Sequence, residues 1–310
     1  LWKTPQNRFG NQISAYIANY LTDLTETGNA EKIDAIISLR YPSYAVRHQR
    51  HICWLNHRMR EYYDLWDNFK ANLSFGNLIK ENIRRFIIHR IDNYLLKHNV
   101  KKLYAQSKNI QWRLQKWGRL ESEVLYPPAI ERGYKFVNYG DFILVPARLV
   151  RLKRIDLAIK AMYYVKSNKL SLIIVGDGPE EEKLHNLAED LKIENRVKFV
   201  GRVSAEELID LYSKCLAVFY GPFNEDYGLV VLEAFSSKKP LITCKDSGGA
   251  TELVENNKNG LIVEPEETKI AEAFDFISDK TAAERLGNNG YLLSKEFSWE
   301  KVIKELLSCV

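Results

Sequence analysis

Residues 142–176 read FILVPARLVRLKRIDLAIKAMYYVKSNKLSLIIVG. Two near-continuous apolar runs, FILVPA (142–147) and LSLIIVG (170–176), enclose a segment whose apolar residues return at helical spacing. A strand without polar alternation is one buried on both faces, and two such strands separated by a helix form a parallel pair. The alternation continues through VKFVG (197–201), LAVFYG (216–221), PLITC (240–244) and GLIVE (260–264). Ser204 and Glu207 make a capping-box pattern ahead of one intervening helix, and Pro179 after Gly178 opens another. This pattern describes a doubly wound α/β domain.

The first half is less regular. IDAIISL (33–39), HICWL (51–55), KKLYAQS (101–107) and EVLYPP (123–128) have the composition of strands, after a helical pattern over about residues 11–26. Ile83, Phe86, Ile87, Ile91, Tyr94 and Leu95 recur at helical spacing, with Arg84, Arg85, His89 and Arg90 between them, which predicts an amphipathic helix with a basic face. The expected organisation is a partial α/β domain over residues 1–138, a complete one over 139–296, and a helix over 297–310 returning toward the first. The first domain is expected to be incomplete, because the chain opens at Leu1 without methionine and its first element reads as a helix. The stretch PAIERGYKFVNYG (128–140) is the expected hinge.

With 45% hydrophobic and 27% charged residues, the composition is that of a soluble globular chain. No run approaches the roughly 18 apolar residues needed to cross a bilayer, and LWKTPQNRFG has no signal-peptide features, so a cytoplasmic location is the default. Cys53, Cys215, Cys244 and Cys309 are far apart with no CxxC pair, against a disulfide framework or a zinc cluster. Residues 1–140 hold 22 Lys+Arg against 12 Asp+Glu, and the remainder 23 against 28. A basic first half suits an anionic partner such as a phospholipid surface, or is simply a solvated basic surface. No nucleic-acid motif accompanies it, so no nucleic acid is expected as a partner.

Ligands of a doubly wound domain bind at the carboxyl edge of its sheet. After the first strand come Arg148 and Lys153, a planar fork and a mobile point charge suited to a diphosphate. GDGP (176–179) and DSGG (246–249) are tight turns after later strands. In NEDYGLVVLEAF (224–235), Glu225 precedes a helix expected to start near Tyr227 or Gly228, and Glu233 lies within it. Eight residues at helical rise span about 12 Å, comparable to a sugar diphosphate with part of its ribose. Glu233, between Leu232 and Ala234, is an acid that would be costly to bury unpaired.

The stretch EDYGLVVLEA resembles the E(x7)E signature of the retaining GT-B glycosyltransferases of family 4, also called glycosyl transferases group 1. The resemblance runs in order through ARLVRLKRIDLAIKA, LIIVGDGPEEEKL, VKFVGRVSAEELIDLY, DSGGATELVENNKNGLIVEP and FSWEKVIKELL. YPSYAVRH and HICWLNHRMREYYDLW resemble the later part of the family's acceptor domain. It implies two Rossmann-like domains of GT-B type, the first incomplete, and metal-independent transfer from a UDP- or GDP-sugar, with no cofactor. The implied acceptor is a glycan, a lipid-linked sugar or another hydroxyl, in glycan or glycolipid synthesis, with peripheral attachment to a membrane through the basic half. Arg148 and Lys153 are implied to meet the diphosphate, Glu225 the transferred sugar and Glu233 the ribose. Backbone near Gly176, Tyr227, Gly228 and Leu229 would approach the phosphates or sugar, and backbone near Arg202 and Val203 the base. His57 matches the acceptor-domain histidine that faces the donor sugar, while His48, His51, His89, His98 and His185 read as surface or helix-face residues. The absence of a DxD motif leaves Arg148, Lys153 and helix amides to balance the diphosphate. Rival readings are a nucleotide-sugar epimerase of the same fold and a catalytically silent nucleotide-sugar or membrane-binding module.

Overall fold

A computed structural model describes residues 9–71 and 73–308; the opening LWKTPQNR and Cys309 lie outside the described residues. Two compact units result, one of residues 9–126 with 300–308 and one of residues 127–299.

In the first unit, α1 (Phe9–Leu21) is followed by β1 (Ile36–Arg40), β2 (His51–His57), the short α2 (Trp66–Lys70), the long α3 (Phe75–His98), β3 (Lys102–Ala105), α4 (Lys108–Gly118) and β4 (Glu123–Val124). The strands are parallel, in the order β1-β2-β3-β4. Ser107 caps α4 by accepting the Ile110 amide, as its position just before a helical run dictates. The core gathers Cys53 and Leu55 of β2, Ile88 of α3, Ala105 of β3 and Leu114 of α4.

Helix α3 departs from the expected amphipathic pattern. Its buried residues include Glu81 and Asp92, whereas Ile83, Phe86 and Tyr94 are exposed. Alongside the apolar Ile88, Leu95 and Leu96, the inward face holds acids that are paired: Tyr16 and Tyr44 donate their hydroxyls to Asp92 Oδ1, and Tyr63 donates to Oδ2 at 2.7 Å. Three donors on one carboxylate offset the cost of burying it. The expected basic face is also partly engaged, since Arg85 and His89 both bond the Tyr62 carbonyl, at 2.8 and 2.7 Å, and Arg84 pairs with Glu81. His51, expected at the surface, is fully buried at the start of β2, between Ser38 Oγ and the Asn99 carbonyl.

The second unit runs β5 (Phe142–Pro146), α5 (Ile155–Tyr164), β6 (Ser171–Val175), α6 (Glu181–Asp190), β7 (Val197–Phe199), α7 (Ala205–Lys214), β8 (Ala217–Phe219), α8 (Val230–Ser236), β9 (Leu241–Cys244), β10 (Gly260–Val263), α9 (Glu267–Ile277) and α10 (Lys280–Ser294). Every expected strand of this half is present, and all six are parallel in the order β10-β9-β8-β5-β6-β7. The capping box of Ser204 and Glu207 forms at the start of α7. Strands β5, β8 and β9 are almost wholly buried, which is why they carry no polar alternation. From β5 the chain moves outward through β6 and β7, then returns to build β8, β9 and β10 on the other side. The switch point lies between the carboxyl ends of β5 and β8, where open α/β sheets hold their ligands.

The unit boundary falls ahead of the expected hinge, because residues 127–138 are bonded to the second unit. Tyr227 donates to the Pro127 carbonyl at 2.9 Å, the Val137 amide bonds Ser213 O at 3.0 Å, and Lys239 Nζ bonds Asn138 O. The last helix, α11 (Trp299–Leu307), lies mostly in the first unit, where Glu305 accepts the Tyr104 hydroxyl at 2.9 Å. No helix among the described residues is long and apolar enough to cross a membrane.

Candidate active site of the second unit

The turn after β5 forms a single 3-10 turn, Arg151–Lys153, and leaves Arg154 in the left-handed region at φ 50°. Lys153 thereby reaches the loop after β8: its Nζ lies 2.6 Å from Glu225 Oε2 and 2.7 Å from the Tyr220 hydroxyl. Lys153 and Glu225 side chains are only 15% and 19% exposed, so the charges are partly desolvated and hold one another. Burial and then the Glu225 charge push the Tyr220 phenol well above its usual range, so it stays protonated. Arg148, on the same turn, is exposed. Two residues assigned from sequence to different parts of one ligand, Lys153 and Glu225, are thus in direct contact at the switch point.

Glu225 itself is not helical. It forms an isolated parallel bridge with Gly248, its amide bonding Ser247 O at 3.0 Å and its carbonyl accepting the Gly249 amide at 2.9 Å. Helix α8 starts only at Val230 and has seven residues, so the span from Glu225 to Glu233 does not follow the helical rise expected from the sequence. Gly228, at φ +90°, turns the chain between them, and a Cβ there would come within 3.0 Å of the Tyr220 ring. Tyr227 is buried and Leu229 half-buried. Glu233 is buried at 8% exposure and accepts the Tyr212 hydroxyl at 2.8 Å. Burial, then the Glu233 charge, raises the pKa of both Tyr212 and neighbouring Tyr134.

Gly176 is set by backbone packing: a Cβ there would stand 2.1 Å from the Ala147 carbonyl, and the Leu149 amide bonds Asp177 O at 2.9 Å. This close approach pins the Arg148 turn to the loop after β6. Arg202 is exposed and pairs with Asp177 at 2.6 Å, and Val203 is half-buried. His57 ends β2 in the first unit, with Nδ1 2.9 Å from the Arg58 carbonyl.

Arg154 was not singled out from the sequence, yet it ties the site together. Its guanidinium forks onto Asp246 at 2.6 and 2.7 Å and also bonds the Gly221 and Pro222 carbonyls at 2.8 and 3.0 Å. Those bonds join the turn after β5 to the loops after β8 and β9. The only trace in the sequence is a third cation in RLKR (151–154), and nothing local says that Lys153 and Arg154 turn inward while Arg151 stays exposed. Tyr220 and Tyr212 were missed for the same reason, since each matters through a partner distant in sequence.

Residues 130–293 match the family model described as glycosyl transferases group 1. An uncharacterized glycosyltransferase of Haemophilus influenzae is 30% identical over 257 residues, covering 78% of this chain and 67% of that protein. Another, from Methanocaldococcus jannaschii, is 29% identical over 169 residues, covering 54% of this chain and 46% of that protein. The chain spans under half the length of several curated relatives that it matches. Among solved structures, Anabaena HepE in complex with UDP and glucose aligns at TM-score 0.65 and 25% identity, covering 72% of this chain and 67% of that one. Sucrose-phosphate synthase of Thermosynechococcus elongatus aligns at TM-score 0.73 and 18% identity over 99% of this chain and 79% of that one, a likeness of fold. The two parallel-sheet, Rossmann-like units match GT-B glycosyltransferase structures.

Proposed function

The chain belongs to the glycosyl transferases group 1 family, and from that premise we propose that it moves a glycosyl unit from a UDP- or GDP-sugar to an acceptor hydroxyl with retention at the anomeric carbon. The observation that carries this reading is the contact of Lys153 with Glu225 and Tyr220 at the switch point of the second sheet. A cation and a carboxylate held together there can meet the two ends of one bond: the leaving diphosphate and the sugar that departs from it. Arg148 and Lys153 take the diphosphate, Glu225 the sugar hydroxyls and Glu233 the ribose. Backbone around Gly176, Tyr227, Gly228 and Leu229 lies toward phosphates and sugar, and that around Arg202 and Val203 toward the base. For His57 we keep the role toward the transferred sugar that the family resemblance implies. The solved HepE complex with UDP and glucose supports a nucleotide-sugar donor.

The proposed step proceeds on one face of the sugar. The bond from C1 to the β-phosphate oxygen breaks, the acceptor oxygen bonds to C1, and the acceptor proton passes to the departing diphosphate. No side chain forms a covalent intermediate. The protein's contribution is positioning, together with charge stabilisation of the diphosphate by Lys153 and Arg148 without a metal. The acceptor is a glycan or lipid-linked hydroxyl, in glycan or glycolipid synthesis.

A screen of UDP- and GDP-sugars, with transfer or hydrolysis followed by NMR of the anomeric proton, tests the reading. Lys153→Met and Arg148→Ala each remove one diphosphate contact and are expected to cut turnover by about 10²–10³. Near-normal turnover in both variants, or an inverted product, overturns it.

A further inference from the structure

The pair at the switch point is closed on itself. Lys153 Nζ donates to Glu225 Oε2 at 2.6 Å and to the Tyr220 hydroxyl at 2.7 Å, with the two charged side chains mostly buried. Their main chains are pinned. The Lys153 amide bonds Val150 O at 2.9 Å, and Arg154 clamps the same turn to the loops after β8 and β9. Glu225 is held beside Gly248 by its amide on Ser247 O and by its carbonyl, which accepts the Gly249 amide. Tyr220 is equally fixed, its amide bonding Ile242 O at 2.9 Å and its carbonyl accepting Thr243 Oγ1 at 2.7 Å. The pair therefore opens only by rotation of side chains on a rigid frame. An ammonium group only donates and an ionised carboxylate only accepts, so each needs a new partner of the opposite kind when they separate. Breaking a partly buried pair on one side alone is costly, because it leaves one charge uncompensated.

We propose that the donor opens this pair by exchange: Lys153 pivots on the Tyr220 hydroxyl from Glu225 to the diphosphate, while Glu225 turns from Lys153 to the sugar hydroxyls. The inference rests on the transferase reading and adds Tyr220 to it as a positioning residue. A sugar diphosphate carries acceptor oxygens for Lys153 and hydroxyl donors for Glu225 in one molecule, so both halves of the pair are partnered again. A bare nucleoside diphosphate serves Lys153 alone and leaves the Glu225 carboxylate facing an anion. It therefore binds against a penalty that the intact donor does not meet. Tyr220 suits the pivot because its hydroxyl accepts from Lys153 whichever anion the amine faces, and its ring lies 5.0 Å from Nζ. Burial, then the Glu225 charge, keeps the phenol protonated, so it retains a proton to give Glu225 when Lys153 turns away. Gly228 belongs to the same device, since a Cβ there would stand 3.0 Å from the Tyr220 ring.

Calorimetric titration of the full chain with UDP and with GDP is the test, the nucleotide that binds being carried into the variants. Glu225→Gln releases Lys153 and is expected to tighten that nucleotide at least about fivefold while lowering turnover. In a Lys153→Met background the same substitution should change affinity by less than about twofold, because the gain runs through the lysine. Tyr220→Phe keeps the ring and removes the pivot. It should weaken the nucleotide about threefold or more where Lys153 is present, and leave it unchanged in Lys153→Met. Thermal melts check that each variant keeps the fold, with Glu225→Ala as a second probe of the same charge. A nucleotide affinity that Glu225→Gln leaves unchanged or lowers overturns the exchange. So does a gain that persists with Lys153→Met, which assigns it to direct repulsion between Glu225 and the diphosphate. An equal loss from Tyr220→Phe with and without Lys153 overturns the role of Tyr220. No binding of UDP or GDP by the parent overturns the transferase reading itself, and this inference with it.

Discussion

Arg154 shows how much a single residue can carry. A non-glycine residue at φ 50° costs about 1 kcal/mol, and here the cost is met by a bidentate bond to Asp246 and two bonds to the 221–222 carbonyls. Arg154→Gly relieves the backbone and removes the clamp. The expected outcome is a melting temperature close to the parent, with donor KM raised about tenfold as the loop bearing Glu225 loses its tether. Arg154→Lys should not restore KM, because a point charge cannot make the fork. Steady-state kinetics with the donor varied, alongside thermal melts, checks both. Glu225 and Glu233 were visible in sequence as a spaced pair, and Lys153 as one of a cluster of cations. Their partners were not visible, because Tyr220 stands 67 residues from Lys153 and Tyr212 stands 21 from Glu233.

At the scale of elements, α3 is the informative case. Its helical character follows from a long run free of Gly and Pro after Gly76, and it forms where expected. Hydrophobicity accounts for only part of its inward face, Ile88, Leu95 and Leu96; the burial of Asp92 beside them rests on three tyrosine hydroxyls that no local pattern reveals. Asp92→Leu leaves those buried donors without their acceptor and should cost at least about 3 kcal/mol by urea titration, with Asp92→Asn costing less because it keeps one oxygen acceptor. A loss below about 1 kcal/mol for Asp92→Leu would show that the tyrosines repartner. The strands of the second unit are the opposite case. Buried on both faces, they need only apolar character, and periodicity alone locates them. Helix α8 lies between these extremes: its existence was legible, but it starts at Val230, past the expected Tyr227 or Gly228, because Gly228 at φ +90° stands outside the helical region.

For the whole molecule, pH dependence is set by groups that burial holds neutral. Burial depresses His51 to about 4, and likewise His89, aided by the nearby Arg85 and Arg58 charges. An unfolded histidine takes up its proton near 6.5, so between about pH 6.5 and pH 4 the unfolded chain binds more protons, and stability falls as pH is lowered through that window. His51 alone should account for about 2 kcal/mol between pH 7 and pH 5, and a His51→Gln variant should show a correspondingly flatter urea midpoint. An equally steep profile in that variant would assign the effect elsewhere. The sequence by itself determined the α/β class, the strands of the second sheet and the imbalance of charge between the two halves. Those properties are local, set by side-chain period and by which residue types follow each strand. Only the tertiary structure decided that Lys153 meets Glu225, that Arg154 ties its own turn to the loops after β8 and β9, that His51 is buried and that the acids of α3 face inward. Each of these depends on a partner brought near by the crossovers of a parallel sheet, whose strands are neighbours in space and distant along the chain.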